Sequence, residues 1–369
     1  MVTNNSGKKG KVVVAMSGGV DSSVAAALLL EEGYEVIGIT MQIWQPDEEE
    51  DERNGGCCSL TAVNDARRVA DRLGIPYYVM NFQDLFAEKV IDYFTEEYLQ
   101  GRTPNPCIAC NRYIKFESLF QKAMGLGADY IATGHYVKNI YDQERGRYLL
   151  YKAEDMTKDQ SYALYTMTQE QLARTLFPLG NYTKTVIRQK AAELGLLVAD
   201  KPDSQEICFV TDNDYKRFLR QRVEPDRIKP GNFLNTQGEI IGRHEGLAYY
   251  TVGQRKGLGL ALGYPAYVVA LDPEKNAVIV GRDEEVFQQG LYAEDHNFIA
   301  FPELTEPVEV EAKIRYSAIP APAVISPEAD GRVKVIFQDK QRAITPGQAV
   351  VYYQGDLVVG GGTISEVIF

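Results

Sequence analysis

Three separated thiols offer the most reactive side chains in this sequence. Cys107 and Cys110 stand three residues apart in Thr103-Pro104-Asn105-Pro106-Cys107-Ile108-Ala109-Cys110-Asn111, and Cys208 stands in Lys201-Pro202-Asp203-Ser204-Gln205-Glu206-Ile207-Cys208-Phe209. Two prolines fix the backbone just before the first pair, which suits a loop that holds side chains in place. Cys208 is remote in sequence but could meet Cys110 in the fold. Thiols of this kind act as nucleophiles, sulfur carriers or metal ligands, and each role needs the thiolate. Nearby Arg112 and Lys115 could favour it. Cys57-Cys58, after Gly55-Gly56, reads as an inert or incidental pair.

The second feature is a turn, Ser17-Gly18-Gly19-Val20-Asp21-Ser22-Ser23, between a short apolar strand ending at Ala15-Met16 and a helix-like run from Val24 to Leu30. Adjacent glycines let backbone curl around an anion, and the helix start directs N–H groups and a positive dipole end at the same spot. Ser17, Ser22 and Ser23 add hydroxyl donors, and Asp21 is a candidate ligand for a magnesium ion bridging phosphates. No lysine follows the glycines, so this is not the kinase-type phosphate loop. It reads as a pyrophosphate-binding turn.

The elements that must position these groups alternate. Lys11 to Met16, Glu35 to Met41, Tyr77 to Asn81 and Tyr130 to Thr133 read as strands, and Ala66, Val69, Ala70 and Leu73 fall at helical spacing. Leu85 to Leu99 and Phe116 to Met124 read as further helices. Alternation of this kind predicts a parallel sheet covered by helices, with ligands at the carboxyl ends of the strands. The segment Ala15 to Ser22, Met41 and Thr133-Gly134-His135 share that edge and form one nucleotide site. After about residue 215 the texture changes to glycine, proline and alternating apolar residues. Val308, Val310, Ala312 and Ile314 alternate with Glu309, Glu311, Lys313 and Arg315, which predicts a small antiparallel barrel at the C-terminus.

Bulk properties constrain the rest. A chain of 369 residues is long enough for two or three domains, and five cysteines suit a reducing compartment better than a disulfide framework. No apolar run approaches the roughly 20 residues that span a bilayer, and the start lacks a signal-peptide core, so a cytoplasmic address with no membrane partner is expected. The net charge of −12 argues against a nucleic-acid ligand taken alone, but Asp47 to Glu52 supplies half of it. Basic stretches such as Arg102 to Lys122 leave room for RNA on one face.

Ser-Gly-Gly-x-Asp-Ser resembles the signature of the ATP pyrophosphatase (PP-loop) superfamily, whose members transfer AMP from ATP to an oxygen. Five further segments follow in order: Thr103 to Pro106, Ala132-Thr133-Gly134-His135-Tyr136, Lys158-Asp159-Gln160-Ser161-Tyr162, Asp203 to Phe209, and Tyr250 to Leu258. The ensemble is similar to the tRNA-specific 2-thiouridylases, and the likeness covers nearly the whole chain. It implies an α/β fold in three parts: a parallel-sheet ATP pyrophosphatase domain over 1–213, a small central domain over 214–285 and a C-terminal antiparallel β-barrel over 286–369.

The resemblance further implies ATP and magnesium as cofactors and AMP transfer to the 2-oxygen of the wobble uridine, position 34, of tRNA reading Lys, Glu or Gln codons. Sulfur then displaces AMP. By the family pattern Cys208 carries the sulfur as a persulfide, supplied by a sulfur-carrier protein or a cysteine desulfurase, and Cys110 is the second catalytic cysteine, able to close a disulfide with Cys208. Asn105, Pro106 and Cys107 match the segment that meets the target base. His135, Lys158, Asp159, Gln160, Arg315, Tyr316 and Gln348 match tRNA contacts. Many relatives carry Asp where this chain has Cys107, so a second route stays open, an iron–sulfur cluster on Cys107, Cys110 and Cys208. Structural zinc is a third, with no evident fourth ligand. The rival functions are another adenylating ATP pyrophosphatase, which would have no use for the thiols, and a catalytically idle tRNA-binding protein.

Overall fold

Val12, Val13 and Val14 are buried on both faces of the strand β1 (Lys11–Ala15), as a strand covered by helices on either side requires. The computed structural model describes residues 9–43, 60–199, 201, 207–210, 212 and 214–369. The acidic run from Asp47, Cys57-Cys58 and Pro202 to Glu206 therefore lie outside the described residues.

Two compact units are distinguished. In the first, β1 lies between β2 (Glu35–Gln42) and β4 (Tyr130–Ala132), both parallel to it, with β3 (Tyr77–Asn81) beyond β2 and β7 (Thr175–Leu176) beyond β4. The order β3-β2-β1-β4-β7 reverses direction of winding between β1 and β4, so the crevice for a ligand opens where those two strands end. Helices α1 (Val20–Glu31) and α2 (Leu60–Leu73) follow, α2 turning Ala62, Ala66, Val69 and Ala70 into the core. A hairpin that the sequence reading did not anticipate, β5 (Lys138–Asp142) with β6 (Arg147–Tyr151), comes after β4.

The cysteine segment departs from expectation. Cys107 and Cys110 lie on a helix, not in a loop: Pro106–Ala109 opens it, Cys110–Leu119 continues in wider π-type turns, and Phe120–Gly125 closes it. Proline at the first helical position costs no hydrogen bond, so Pro106 starts the helix that its composition suggested it would prevent. π turns are rare and frequently fall at functional sites.

The second unit contains a stretch from the N-terminal half, Ile91–Pro106, together with Asp214–Gly355 and Val359–Phe369. The aromatic residues explain that assignment. Tyr98 stacks on Tyr215 with ring centroids 4.8 Å apart, Phe94 meets Phe218 edge-on, and Arg222 and Arg227 pair with Asp92 and Glu96 at 2.8 Å. A four-stranded sheet follows, in the order β10-β11-β8-β9, from β8 (Gly231–Asn235), β9 (Ile240–His244), β10 (Tyr267–Asp272) and β11 (Ala277–Gly281). The last six strands, β12 (Phe287–Phe298) to β17 (Leu357–Ile368), close into an antiparallel barrel through a β12–β17 pairing. In β13 (Val308–Lys313) and just after it, Val310, Ala312 and Ile314 point inward as the alternation required. Among the described residues no helix is long and apolar enough to cross a membrane.

Candidate active site

The glycine turn is held from both sides of the crevice. Gly18 has φ +69, and a Cβ there would lie 2.1 Å from the carbonyl oxygen of Ala62 on α2, so only glycine fits between turn and helix. Gly134, after β4, approaches the first turn of α1 so closely that a Cβ would sit 2.7 Å from the Ser22 nitrogen. Gly19 caps α1 without a side chain, leaving the first-turn amides facing the crevice. The Ser22 hydroxyl accepts from Ser17 N–H at 3.2 Å, and Ser23 donates to the Gly19 carbonyl at 2.8 Å. Ser23 is fully buried and so cannot serve a phosphate, contrary to the sequence expectation. Ser17 is exposed at the mouth. Thr40 donates to the Met16 carbonyl at 2.6 Å, fixing the strand end beside Met41.

Asp21 is the focus of a network that the sequence did not disclose. Lys184, at the start of α3 (Lys184–Glu193) in this unit, donates to both carboxylate oxygens at 2.8 and 2.7 Å, and the Tyr136 hydroxyl donates to one of them at 2.7 Å. Gln160 in turn accepts from Tyr136 N–H at 3.0 Å. Lys184 stands at a helix start, where a cation opposes the helix dipole and the Asp21 carboxylate offsets it.

Lys201, which heads the Cys208 segment, donates to the Gly18 carbonyl at 3.2 Å and pairs with Asp65 at 3.0 Å. Its own backbone is held by Arg188, which donates to the carbonyls of Ala199 and Lys201. Cys208 is half-buried; Phe209 beside it packs edge-on against Phe86 with centroids 5.8 Å apart. On the other thiol-bearing helix Cys107 is exposed and Cys110 half-buried. Asn111 fastens this helix by donating to the Ala163 carbonyl at 3.0 Å, and its amide oxygen accepts from Lys115 at 2.8 Å, so Lys115 is spent on Asn111. Cys107, Cys110 and Cys208 are thiols, not disulfide sulfurs. Among the described residues, which include all three, no group of three His, Cys, Asp or Glu side chains converges to hold a metal ion. The donor set thus does not fit an iron–sulfur cluster or a structural zinc in this arrangement.

Three domain families match in sequence: the tRNA methyl transferase HUP domain over residues 10–212, the tRNA methyl transferase PRC-barrel domain over 216–282 and the aminomethyltransferase β-barrel domain over 288–364. Proteins named tRNA-specific 2-thiouridylase MnmA match throughout. The one from Carboxydothermus hydrogenoformans is 61% identical over 96% of this chain and 98% of its own, and the one from Heliobacterium modesticaldum 63% over 96% and 92%. The chain belongs to the tRNA-specific 2-thiouridylase family. A solved 4-thiouridine synthetase–RNA complex with bound ATP is 20% identical, covering 59% of this chain and 51% of that one, with a TM-score of 0.36.

The thiouridylase residues expected at the tRNA are placed unevenly. Tyr316 is exposed and Lys158 half-buried. Asp159 is engaged locally, accepting from Ala153 N–H at 3.0 Å and the Ser161 hydroxyl at 2.7 Å, and Gln160 supports Tyr136 as above. Arg315 donates to the Arg342 carbonyl at 3.0 Å and Gln348 to the Thr103 carbonyl at 2.9 Å. His135 is buried, bonded through Nδ1 to the Thr133 hydroxyl at 2.7 Å and packed against Phe116 and Phe177.

Burial, helped by the charge of Lys115, holds the His135 pKa well below its ordinary 6.5. The unfolded chain therefore binds this proton more readily. Stability contributed by the neutral ring is full above about pH 6.5 and declines below it, by at most about 1.4 kcal/mol per pH unit. Urea melts at pH 7.5 and 5.0 are expected to show a smaller acid loss for His135→Gln than for the parent protein. His244, lowered by burial in the same direction, contributes to both proteins and cancels in the comparison. Equal losses would remove His135 as a source of acid sensitivity.

Proposed function

We propose that this chain replaces the 2-oxygen of the wobble uridine of tRNA by sulfur, using ATP to activate the oxygen and a persulfide on Cys208 to supply the sulfur. The observation that carries this reading is the tie from Lys201, at the head of the Cys208 segment, to the Gly18 carbonyl of the phosphate turn, 3.2 Å away. Lys201 heads the segment in which Cys208 stands, and its contact with the turn supports, within one unit, a reaction in which AMP leaves when sulfur arrives.

The residues divide the work. Uracil oxygen is a poor leaving group, and AMP transfer makes it a good one. First-turn amides of α1 and the exposed Ser17 suit the phosphates of ATP, with the backbone at Gly18 and Gly134 held closely against α2 and α1. Asp21, which would exchange Lys184 for the ion, is the residue that would hold magnesium, and the ion would supply charge neutralisation at the phosphates. The terminal sulfur of the Cys208 persulfide adds at carbon 2, and AMP departs with the original oxygen. Cys110 then attacks Cys208 Sγ. The S–S bond breaks, its electron pair stays on the sulfur bound to carbon 2, and 2-thiouridine leaves a Cys110–Cys208 disulfide that an external thiol reduces. An anticodon base turned out of its stack exposes the edge this chemistry needs. By the same reading the substrates are tRNAs for Lys, Glu and Gln, and the sulfur comes from a persulfide-carrying protein or a cysteine desulfurase.

Incubation of the protein with ATP, magnesium, a tRNA transcript and a persulfide donor, followed by mass spectrometry of the nucleosides, tests this. One AMP is expected for each 2-thiouridine formed, and both are expected to require tRNA. Thiouridine formed without ATP, or AMP released with no thiolation under any donor, would refute the reading.

A further inference from the structure

Two side chains hold the Asp21 carboxylate, and both are tied to the same short loop, Asp155 to Gln160. Tyr136, which donates to Asp21 at 2.7 Å, is paired with Gln160 in both directions: Tyr136 N–H donates to the Gln160 amide oxygen and Gln160 N–H to the Tyr136 carbonyl, each at 3.0 Å. Lys184, the other partner of Asp21, donates its backbone N–H to the Asp155 carboxylate at 2.9 Å. Its ammonium also stands 5.8 Å from the centre of the Tyr136 ring, so Asp21, Tyr136 and Lys184 form one cluster. All of these residues lie in the first compact unit.

The loop between the two ties is braced from within. The second Asp155 oxygen accepts from Thr157 N–H at 3.1 Å and from the Thr157 hydroxyl at 2.6 Å, Lys158 N–H donates to the Asp155 carbonyl at 3.0 Å, and Asp159 accepts from Ala153 N–H and the Ser161 hydroxyl. Ser161 and Tyr162 behind it are fully buried, whereas Met156 and Thr157 are exposed. A load on the exposed turn is therefore passed to its ends, Asp155 and Gln160. From Gln160 it reaches Tyr136, two residues after Gly134, where a Cβ would stand 2.8 Å from the Asp21 carbonyl carbon and 3.0 Å from the Asp21 Cβ. Tyr136 and Lys184 are buried in close packing, so a shift of either is felt at Asp21.

We propose that Tyr136 and Asp155 are positioning residues that couple tRNA on the Lys158-Asp159-Gln160 segment to the nucleotide site. This rests on the reading that the segment meets tRNA. The element with two arrangements is the Asp21 carboxylate, clamped by Lys184 and Tyr136 in one and turned to the nucleotide in the other. RNA seated on the loop draws on both clamps, through Gln160 and Asp155, and shifts the balance toward the second arrangement. By linkage, nucleotide tightens tRNA binding by the same factor. The device makes consumption of ATP depend on the presence of the substrate whose oxygen is to be activated.

The test compares the full-length parent with Tyr136→Phe and Asp155→Ala by equilibrium dialysis of magnesium α,β-methylene-ATP, which cannot release AMP, with and without a tRNA transcript. In the parent, tRNA is expected to tighten binding of the analogue on the order of 10-fold, a usual strength for coupled sites. In each variant the gain is expected to fall to about twofold or less, while tRNA affinity measured without nucleotide, and its salt dependence, stay at parent values. A purely structural lesion would weaken both ligands alike and leave the ratio intact. A second readout needs no nucleotide: tRNA is expected to change hydrogen exchange at the Tyr136 and Lys184 amides of the parent, and the Lys184 response is expected to vanish in Asp155→Ala. An equal ratio in the parent and both variants overturns the coupling, as does a parent whose affinity for the analogue ignores tRNA. Failure of the wider reading looks different. A parent that forms no 2-thiouridine, but whose variants lose the ratio, would refute the reaction and keep the coupling.

Discussion

Cys208→Ser and Cys110→Ser are each expected to lower 2-thiouridine formation by three orders of magnitude or more, the scale on which removal of an essential nucleophile acts. A serine oxygen cannot hold a transferable sulfur, and it cannot cleave a disulfide. Release of AMP in the presence of tRNA should persist in both, because neither sulfur takes part in activating the uracil oxygen. Both thiols are half-buried and neither is in a disulfide, so substitution by the slightly smaller hydroxyl leaves the packing of Phe209 and Asn111 intact. Cys107→Asp separates the sulfur routes. Cys107 is exposed, and the persulfide route needs only the other two thiols, so substantial activity is expected from metal-free protein. Activity that appears only after cluster reconstitution, with iron and sulfide measured in anaerobic protein, would sink the persulfide route.

Asp21→Ala has the second large effect, and here stability and chemistry must be separated. The substitution leaves the Lys184 ammonium, whose side chain is 10% exposed, facing Tyr136 without its carboxylate. A buried charge stripped of its partner is costly. With Asp21 itself 30% exposed, a loss of about 1–3 kcal/mol is expected, less than for a fully enclosed pair. AMP release should fall on the order of 100-fold or more if Asp21 serves the nucleotide. The double variant Asp21→Asn with Lys184→Met removes both charges and is expected to regain most of the stability but none of the AMP release. A folded double variant that releases AMP at the parent rate would exclude Asp21 from the mechanism.

What the sequence made legible was what is local. Two glycines beside a strand and a helix start define an anion-binding turn because their chemistry needs no distant partner, and the same holds for the alternation of β13. Family membership was readable for a related reason: six short segments in fixed order are a linear property. The helix under Cys107 and Cys110 was misread as a loop because proline is ambiguous on its own. It breaks a helix in the middle and begins one at its first residue, and only the following hydrogen bonds show which.

Other features were decided by contacts between residues far apart in the chain. Lys184 meets Asp21 across 163 positions, Lys201 meets Gly18 across 183, and Gln348 meets Thr103 across 245. Charge type alone could not distinguish a solvated lysine from one clamped on a carboxylate, and resemblance assigned Gln348, Arg315 and His135 to RNA. What resemblance did not disclose is their partners within the chain: the first two donate to backbone carbonyls and the third packs among aromatic rings. Burial leaves each polar side chain to find a partner inside the protein, and which partner it finds is a property of the assembled sheet and barrel, not of the neighbouring letters.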